Sequence, residues 1–182
     1  MKIYLKEKNG LLKLFEGDLT AELKQRQIII GEGASIGEEA NIGALANIGE
    51  GVSIGEEARI GERARIGEGA NIGALARIGE GVRIGEGVII GEWARIGALA
   101  NIGKGASITM TYECIVLGPL GSRSAMMTAY VLNEIIQIGA GCFLDSIEKF
   151  ESQVKEVHAG TRHEKEYLAA LDYVRAKFAI KP

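Results

Sequence analysis

An isoleucine stands at every sixth position from Ile30 to Ile108, fourteen times without a slip. Thirteen of the fourteen are followed by glycine, and the residue two places before each of Ile36 to Ile108 is Ala or Val. A helix turns by about 600° over six residues, so these isoleucines would spiral around its axis and line no single face. In a strand, residues two apart point the same way, which sends each Ile and its Ala or Val into one interior. The hexapeptide therefore reads as a short strand and a corner, with Gly at the bend and two variable residues after it. Stacked coils of such units pair each strand with those above and below it, about 4.8 Å away. A fixed short period of this kind marks a repeat architecture.

The unit, for example Ile36-Gly37-Glu38-Glu39-Ala40-Asn41, resembles the hexapeptide-repeat family: an aliphatic residue, Gly, two variable residues, a small residue and one more. The resemblance covers Ile30 to Ser107. It implies a left-handed parallel β-helix with three strands per coil, usually a homotrimer. At eighteen residues per coil the repeats make a prism of about four and a half turns, about 20 Å tall. The expected fold is mostly β, this β-helix over residues 28–109 with a hairpin cap at 1–27 and a small α+β module at 110–182.

Positions eighteen apart sit above one another, so the outward residues form ladders. One is Ser35, Ser53, Asn71, Ile89 and Ser107, small and neutral. A second is Asn41, Arg59, Arg77 and Arg95, and a third is Asn47, Arg65, Arg83 and Asn101. Stacked like charges repel unless countered. Glu62 and Glu80 follow Arg59 and Arg77 by three places, so interleaved Glu and Arg on a solvated surface is one reading. Subunit contacts or an anion groove are the other. Leu45, Leu75, Leu99 and Trp93 sit at corners, where exposed apolar groups can mark an oligomer contact or stand as ordinary scattered surface hydrophobes, with Leu75 on a different edge from Leu45 and Leu99.

Before the repeat, Lys2-Ile3-Tyr4-Leu5 and Leu11 to Phe15 flank Lys8-Asn9-Gly10, a hairpin signal. Such a hairpin would cover the open strand edges of the first coil. Asp18 to Arg26 fits either a short helix or an irregular lead-in. No apolar run of signal or membrane-span length opens the chain, because Lys2, Lys6, Glu7 and Lys8 interrupt it. A cytoplasmic protein without a membrane partner is expected. The net charge of −3 gives no electrostatic case for a nucleic-acid polymer, which usually needs a basic surface. Cys114 and Cys142 read as free packing thiols.

The pattern changes after Ile108-Thr109. Tyr112 to Leu117, Met126 to Leu132 and Ile135 to Ile138 read as strands, with a loop at Gly118 to Ser124 and a tight turn at Asn133-Glu134. Asp145 with Glu148 opens a first helix as a capping box, with Ile147, Phe150, Val154 and Val157 as its apolar stripe. Thr161 with Glu164 opens a second, lined by Tyr167, Leu168, Leu171, Val174 and Phe178. Gly118-Pro119-Leu120-Gly121-Ser122-Arg123, Thr128-Ala129-Tyr130, Gly141-Cys142-Phe143 and the segment His158 to Tyr167 together resemble a module at the ends of uncharacterised bacterial and phage proteins. That resemblance implies no established activity.

The best-known members of the hexapeptide family are acyltransferases that use a histidine in the coils as general base. No histidine precedes His158 in this chain, and no inserted loop interrupts the repeat. A carbonic-anhydrase-like site needs three histidines at a subunit interface, and the chain has two. An ice-binding face needs a flat hydroxyl array, which Asn71 and Ile89 break. No cofactor or metal is implied.

The candidate site lies in the tail. Gly118 and Gly121 allow backbone N–H groups to converge on an anion, Ser122 and Ser124 add hydroxyls, and Arg123 offers a planar fork for phosphate. Thr128 and Tyr130 on the next strand would contact a ribose or a ring. His158, Arg162 and His163 surround the inter-helix turn, where a helix N-terminus attracts anions. The bland counterpart is a Gly-Pro turn with an exposed Arg and structural histidines. Cys142 and His158 lack an evident orienting third group for nucleophilic work. The expected function is a non-catalytic homotrimer whose tail holds a small anionic, nucleotide-like ligand, with sequestration of a host immune signal by a phage protein as one task. An acyltransferase relative using His158 or His163, or a purely structural assembly protein, are the alternatives.

Overall fold

A computed structural model describes residues 2–6, 12–109 and 113–179. Two strands, β1 (Lys2–Lys6) and β2 (Leu12–Glu16), pair antiparallel, and α1 (Thr20–Gln25) leads into the repeat. The Asn-Gly turn expected between the two strands lies outside the described residues. Strands β3 to β16 follow, each closing on the isoleucine of its hexapeptide, from β3 (Ile29–Ile30), β4 (Ser35–Ile36) and β5 (Ala40–Ile42) to β15 (Asn101–Ile102) and β16 (Ser107–Ile108).

Every third strand falls in the same parallel sheet, so three sheets enclose one triangular prism. The eighteen-residue register is unbroken: Asn41 lies beside Arg59, Arg59 beside Arg77, and Arg77 beside Arg95. Inside, each Ile from Ile42 to Ile108 and the Ala or Val before it are buried in one continuous core. The ladder residues face out, as strand alternation demands. Strand β1 runs parallel to β5 and places Leu5 in the core, so the hairpin extends the arginine-bearing sheet at the first coil. Asp18 to Arg26, left open by the sequence, contains the short helix α1, and Leu19 and Ile28 bury beside it.

The repeated glycine has a different cause from the bend. A Cβ on Gly37 would stand 2.5 Å from the backbone nitrogen of Glu56 and from the carbonyl carbon of Gly55, one coil on. The same collision recurs along the repeat, so the glycine is required by the close approach of stacked coils. The bend is made two residues later, where Glu39, Leu45, Glu57, Arg63, Leu75, Trp93 and Leu99 take left-handed backbone with φ between 54° and 62°. Gly fills that same corner position elsewhere, as at Gly51 and Gly69.

Among the described residues, Arg59 and Arg77 are not countered by carboxylates as the Glu and Arg spacing suggested. Glu80 reaches sideways to Arg63 at 2.9 Å, from corner to corner, and Glu86 pairs with Lys104 at 2.7 Å. Among the described residues no carboxylate pairs with Arg59, Arg65, Arg77 or Arg83. A corner carboxylate two or three residues along turns away with the bend, which takes it off the arginine face.

Above the last coil lies a four-stranded antiparallel sheet of β17 (Cys114–Leu120), β18 (Ala125–Leu132), β19 (Ile135–Ala140) and β20 (Phe143–Ser146). The turn at Asn133 and Glu134 has φ of 50° and 65°, the mirror-type geometry that matches strand twist. The capping-box spacing assigns Asp145 to the start of the following helix and hides strand β20. Asp145 instead pairs with Ile138 in the sheet, and Ser146 caps α2 (Ile147–Val157) by accepting from the Lys149 N–H. The second helix, α3 (Arg162–Ala179), begins at Thr161, whose hydroxyl accepts from the Glu164 N–H at 3.3 Å.

The sheet is sandwiched. Met127, Ala129 and Ile138 face α2 and α3, packing with Phe150, Val154, Leu171 and Val174. Cys114 and Tyr130, with Val116 and Leu132 beside them, belong to the prism's core. Two polar clasps join the layers: the Asn101 N–H donates to the Thr128 hydroxyl at 2.9 Å, and the Gly103 N–H to the Tyr130 hydroxyl at 2.8 Å.

Candidate functional site

Strand alternation decides which of the expected residues can meet. Thr128 and Tyr130 share the parity of the prism-facing side, are fully or almost fully buried, and spend their hydroxyls on coil backbone. They are therefore corrected from ligand contacts to docking groups. A sheet packed on both faces lacks the polar and apolar alternation that would have revealed this.

The loop is also shorter than expected. Strand β17 continues through a bulge to Leu120, leaving a turn at 121–124. Gly121 takes φ of 67°, and a Cβ there would fall 2.0 Å from the Tyr167 hydroxyl, so the turn lies directly on α3. The Gly121 N–H donates to Glu166 at 3.2 Å, and Glu166 also meets His163 Nδ1 at 3.2 Å. The His163 hydrogen bond first, and the Gly121 N–H after it, hold the Glu166 carboxyl below its ordinary range. The backbone donor assigned to an external anion is thus occupied by the protein's own carboxylate. Gly118, at φ of 130°, sits where a Cβ would meet the Ala125 carbonyl at 2.9 Å and serves the bulge.

Around that clasp the turn, the β19–β20 connection and the helices enclose a cavity of about 260 Å³. Its floor is apolar: Met127, Phe143, Phe150 and Val154, with Val157 at the rim. Ser122, Arg123, Cys142, Gln153, His158 and Tyr167 complete the wall. Phe150 meets Phe143 and Tyr167 edge to face, with ring centroids 4.9 and 5.4 Å apart. The His158 ring lies 5.6 Å from Tyr167 and 6.1 Å from His163. Burial and the Glu166 charge push the Tyr167 phenol up, and the nearby Arg123 cation opposes them. An apolar, ring-lined floor with one exposed guanidinium and a few polar groups at the rim is the usual chemistry of a small-molecule site.

Of the expected residues, Ser122, Arg123 and His158 line this cavity. Ser124 faces a second cleft, shared with Pro119, Met126, Arg83 and Asn101. His163 meets Glu166 and, like the exposed Arg162 at the start of α3, does not line the cavity. Tyr167, Phe150, Val157 and Cys142 were missed. Val157 was read as core, yet it is 63% exposed and lines the cavity rim. The two thiols differ: Cys114 is buried and pushed up to about 12 by that burial, whereas Cys142 is exposed beside the cavity. Neither histidine is near the coils, since both lie on the helical side of the sheet.

A parallel prism of hexapeptide coils closed by an α+β cap defines the class as a hexapeptide-repeat β-helix protein. Residues 24–146 match the family model described as the GMPPB C-terminal domain, and the chain belongs to that family. The match takes in the prism and the four-stranded sheet and leaves α2 and α3 beyond it. No curated protein matches the chain. No helix among the described residues is long and apolar enough to cross a membrane.

Proposed function

We propose that this chain is a non-catalytic binding protein, assembled as a homotrimer, in which the prism carries three C-terminal modules that each hold a small phosphate-bearing, ring-containing ligand. The observation that carries this reading is the cavity itself, where an aromatic floor meets Arg123, Ser122 and His158 at the rim. A planar ring would lie against Phe143, Phe150 and Tyr167, and a phosphate would meet Arg123 in a charge-assisted, two-pronged contact. The backbone contributes less than the glycines suggested, because Glu166 holds the Gly121 N–H. The family is described as a left-handed β-helix-type domain in nucleotidyltransferase-related proteins. That supports a β-helix that accompanies nucleotide chemistry rather than performing it. The likeness of the tail to modules of phage proteins suggests a use, the withdrawal of a host nucleotide signal from solution.

Calorimetry against a panel of mono-, di- and cyclic nucleotides tests the reading. A panel member is expected to bind and to lose about tenfold or more of its affinity in Arg123→Ala, the scale of one charged hydrogen bond. The same ligand should shield Cys142 from alkylation. A panel in which nothing binds, or binding indifferent to Arg123→Ala, would overturn it.

A further inference from the structure

Two charged columns run along adjoining parts of the prism. One is the arginine face, Asn41, Arg59, Arg77 and Arg95 in register. The other is the ridge entering that face, whose outermost residues are Glu39, Glu57, Leu75 and Trp93, with Glu38, Glu56 and Glu92 beside them. Glu57 stacks on Glu38 through its backbone, Leu75 on Glu56, and Trp93 on Ala74, so the ridge is a true column. Arg59 and Arg77 have no carboxylate partner among the described residues, nor does any glutamate of this ridge have a cation. Trp93 is 67% exposed, the most exposed large apolar side chain described.

Resting on the trimeric part of the function proposed above, we infer that this ridge of one copy lies on the arginine face of the next, and that this contact builds the trimer. Around a triangular prism, faces and ridges alternate every 60°. A ridge and its adjoining face therefore point 60° apart, the angle at which each member of a three-membered ring meets its two neighbours. The contact joins unlike patches and closes after three copies, as a heterologous interface must if it is not to run on as a filament. A three-fold axis parallel to the prism adds no rise, so residues of the same coil meet. Glu57 reaches Arg59 of the next copy, Leu75 covers the aliphatic stem of its Arg77, and the Trp93 ring lies at the level of its Arg95. Carboxylate on guanidinium, apolar residue on stem and indole on cation are the pairings these side chains favour, with a buried Trp as the usual anchor of an interface.

The other acidic ridge, Glu32, Glu50, Glu68 and Glu86, fits less well. It points 180° from the arginine face, so their contact would chain copies in a line. On its own adjoining face the basic column is confined to Arg65 and Arg83. Glu86 is already paired with Lys104, and Gly occupies every outermost ridge position there.

The experiment is light scattering on the full chain after size exclusion, with circular dichroism to confirm folding. The wild type is expected at three times 19.4 kDa. Arg59→Glu with Arg77→Glu should give a folded monomer, and adding Glu56→Lys and Glu57→Lys should restore the trimer. Trp93→Ala should weaken association at least tenfold, while Glu68→Lys should leave it intact. A wild-type monomer would overturn both the inference and the trimeric reading. A trimer indifferent to the arginine reversals, or one broken by Glu68→Lys, would overturn only this assignment of the interface. Reversals that unfold the chain transfer the decision to Trp93→Ala, whose trimer must loosen for the inference to stand.

Discussion

At the residue scale the repeat separates two demands that a glycine-rich motif runs together. Gly37 is needed because the next coil's backbone sits 2.5 Å from where its Cβ would be, while Glu39 holds the left-handed turn at φ of 57°. A methyl at Gly37 must push two coils apart, at an overpacking cost of about 2–3 kcal/mol. Glu39→Gly removes a left-handed strain of about 1–2 kcal/mol and restores about 0.5–1 kcal/mol of unfolded-state freedom. Chemical denaturation should therefore show Gly37→Ala clearly destabilised and Glu39→Gly unchanged or stabilised by about 0.5 kcal/mol. Equal destabilisation by both would mean that the repeated glycine serves the bend. The sequence made Ile, Ala and Val legible as core because strand parity and a six-residue step admit one arrangement. It could not reveal why the glycine recurs, since a close approach between coils and a positive φ both select Gly.

Among elements, legibility fell wherever a segment had neighbours on two sides. The outward ladders of the prism face solvent on one side only, and their register was readable from residue spacing alone. The capping sheet faces the prism and the helices at once, so Thr128 and Tyr130 offered no sign of which layer they served. Asp145 was misread for a related reason, because an acidic residue before a helix satisfies the expectation for a cap even while it still pairs in a strand. The clasp between the 121–124 turn and α3 was invisible because Gly121 and Glu166 are far apart in sequence. Its chemistry carries a pH signature. The ionised Glu166 accepts from His163 and from the Gly121 N–H, which holds its pKa below the ordinary 4.5. The clasp is therefore complete above the ordinary carboxylate range and is lost as pH falls through the depressed value. In an amide NMR titration, Gly121 should shift with a midpoint below 4.5, and Glu166→Gln should abolish the titration while keeping the neighbouring resonances. A Gly121 amide unmoved between the neutral and acidic ends would show that the turn does not rest on that carboxylate.

For the whole molecule, the eighteen-residue coil is the unit of folding, and the sixfold step is the unit of facing. A solenoid is stabilised between nearest-neighbour coils, so removing a segment matters through what it does to the stacks on either side. Deleting residues 55–72 takes out one full coil and returns every later residue to its own face, with Arg77 settling against Asn41 in place of Arg59. Deleting residues 55–60 also leaves every buried Ile and Ala in a competent stack. It moves each later hexapeptide round by one face, however, so Arg65 and Arg83 follow Asn41 up one side while Arg77 and Arg95 move to another. Glu56, Glu57 and Arg59 leave with the deleted segment, and Leu75, Glu92 and Trp93 turn together with Arg77 and Arg95. Both variants should fold, with similar circular dichroism and a modest fall in melting temperature from the shortened core. Both lose the Glu57 and Arg59 level of the contact and both keep Leu75 and Trp93 on the ridge beside Arg77 and Arg95, so both should remain trimeric by light scattering, associating more weakly than the parent. If both variants assembled as tightly as the parent, the loss of Glu57 and Arg59 would have cost nothing, and the trimer would have to be held from its ends, by the hairpin or by the module above the last coil.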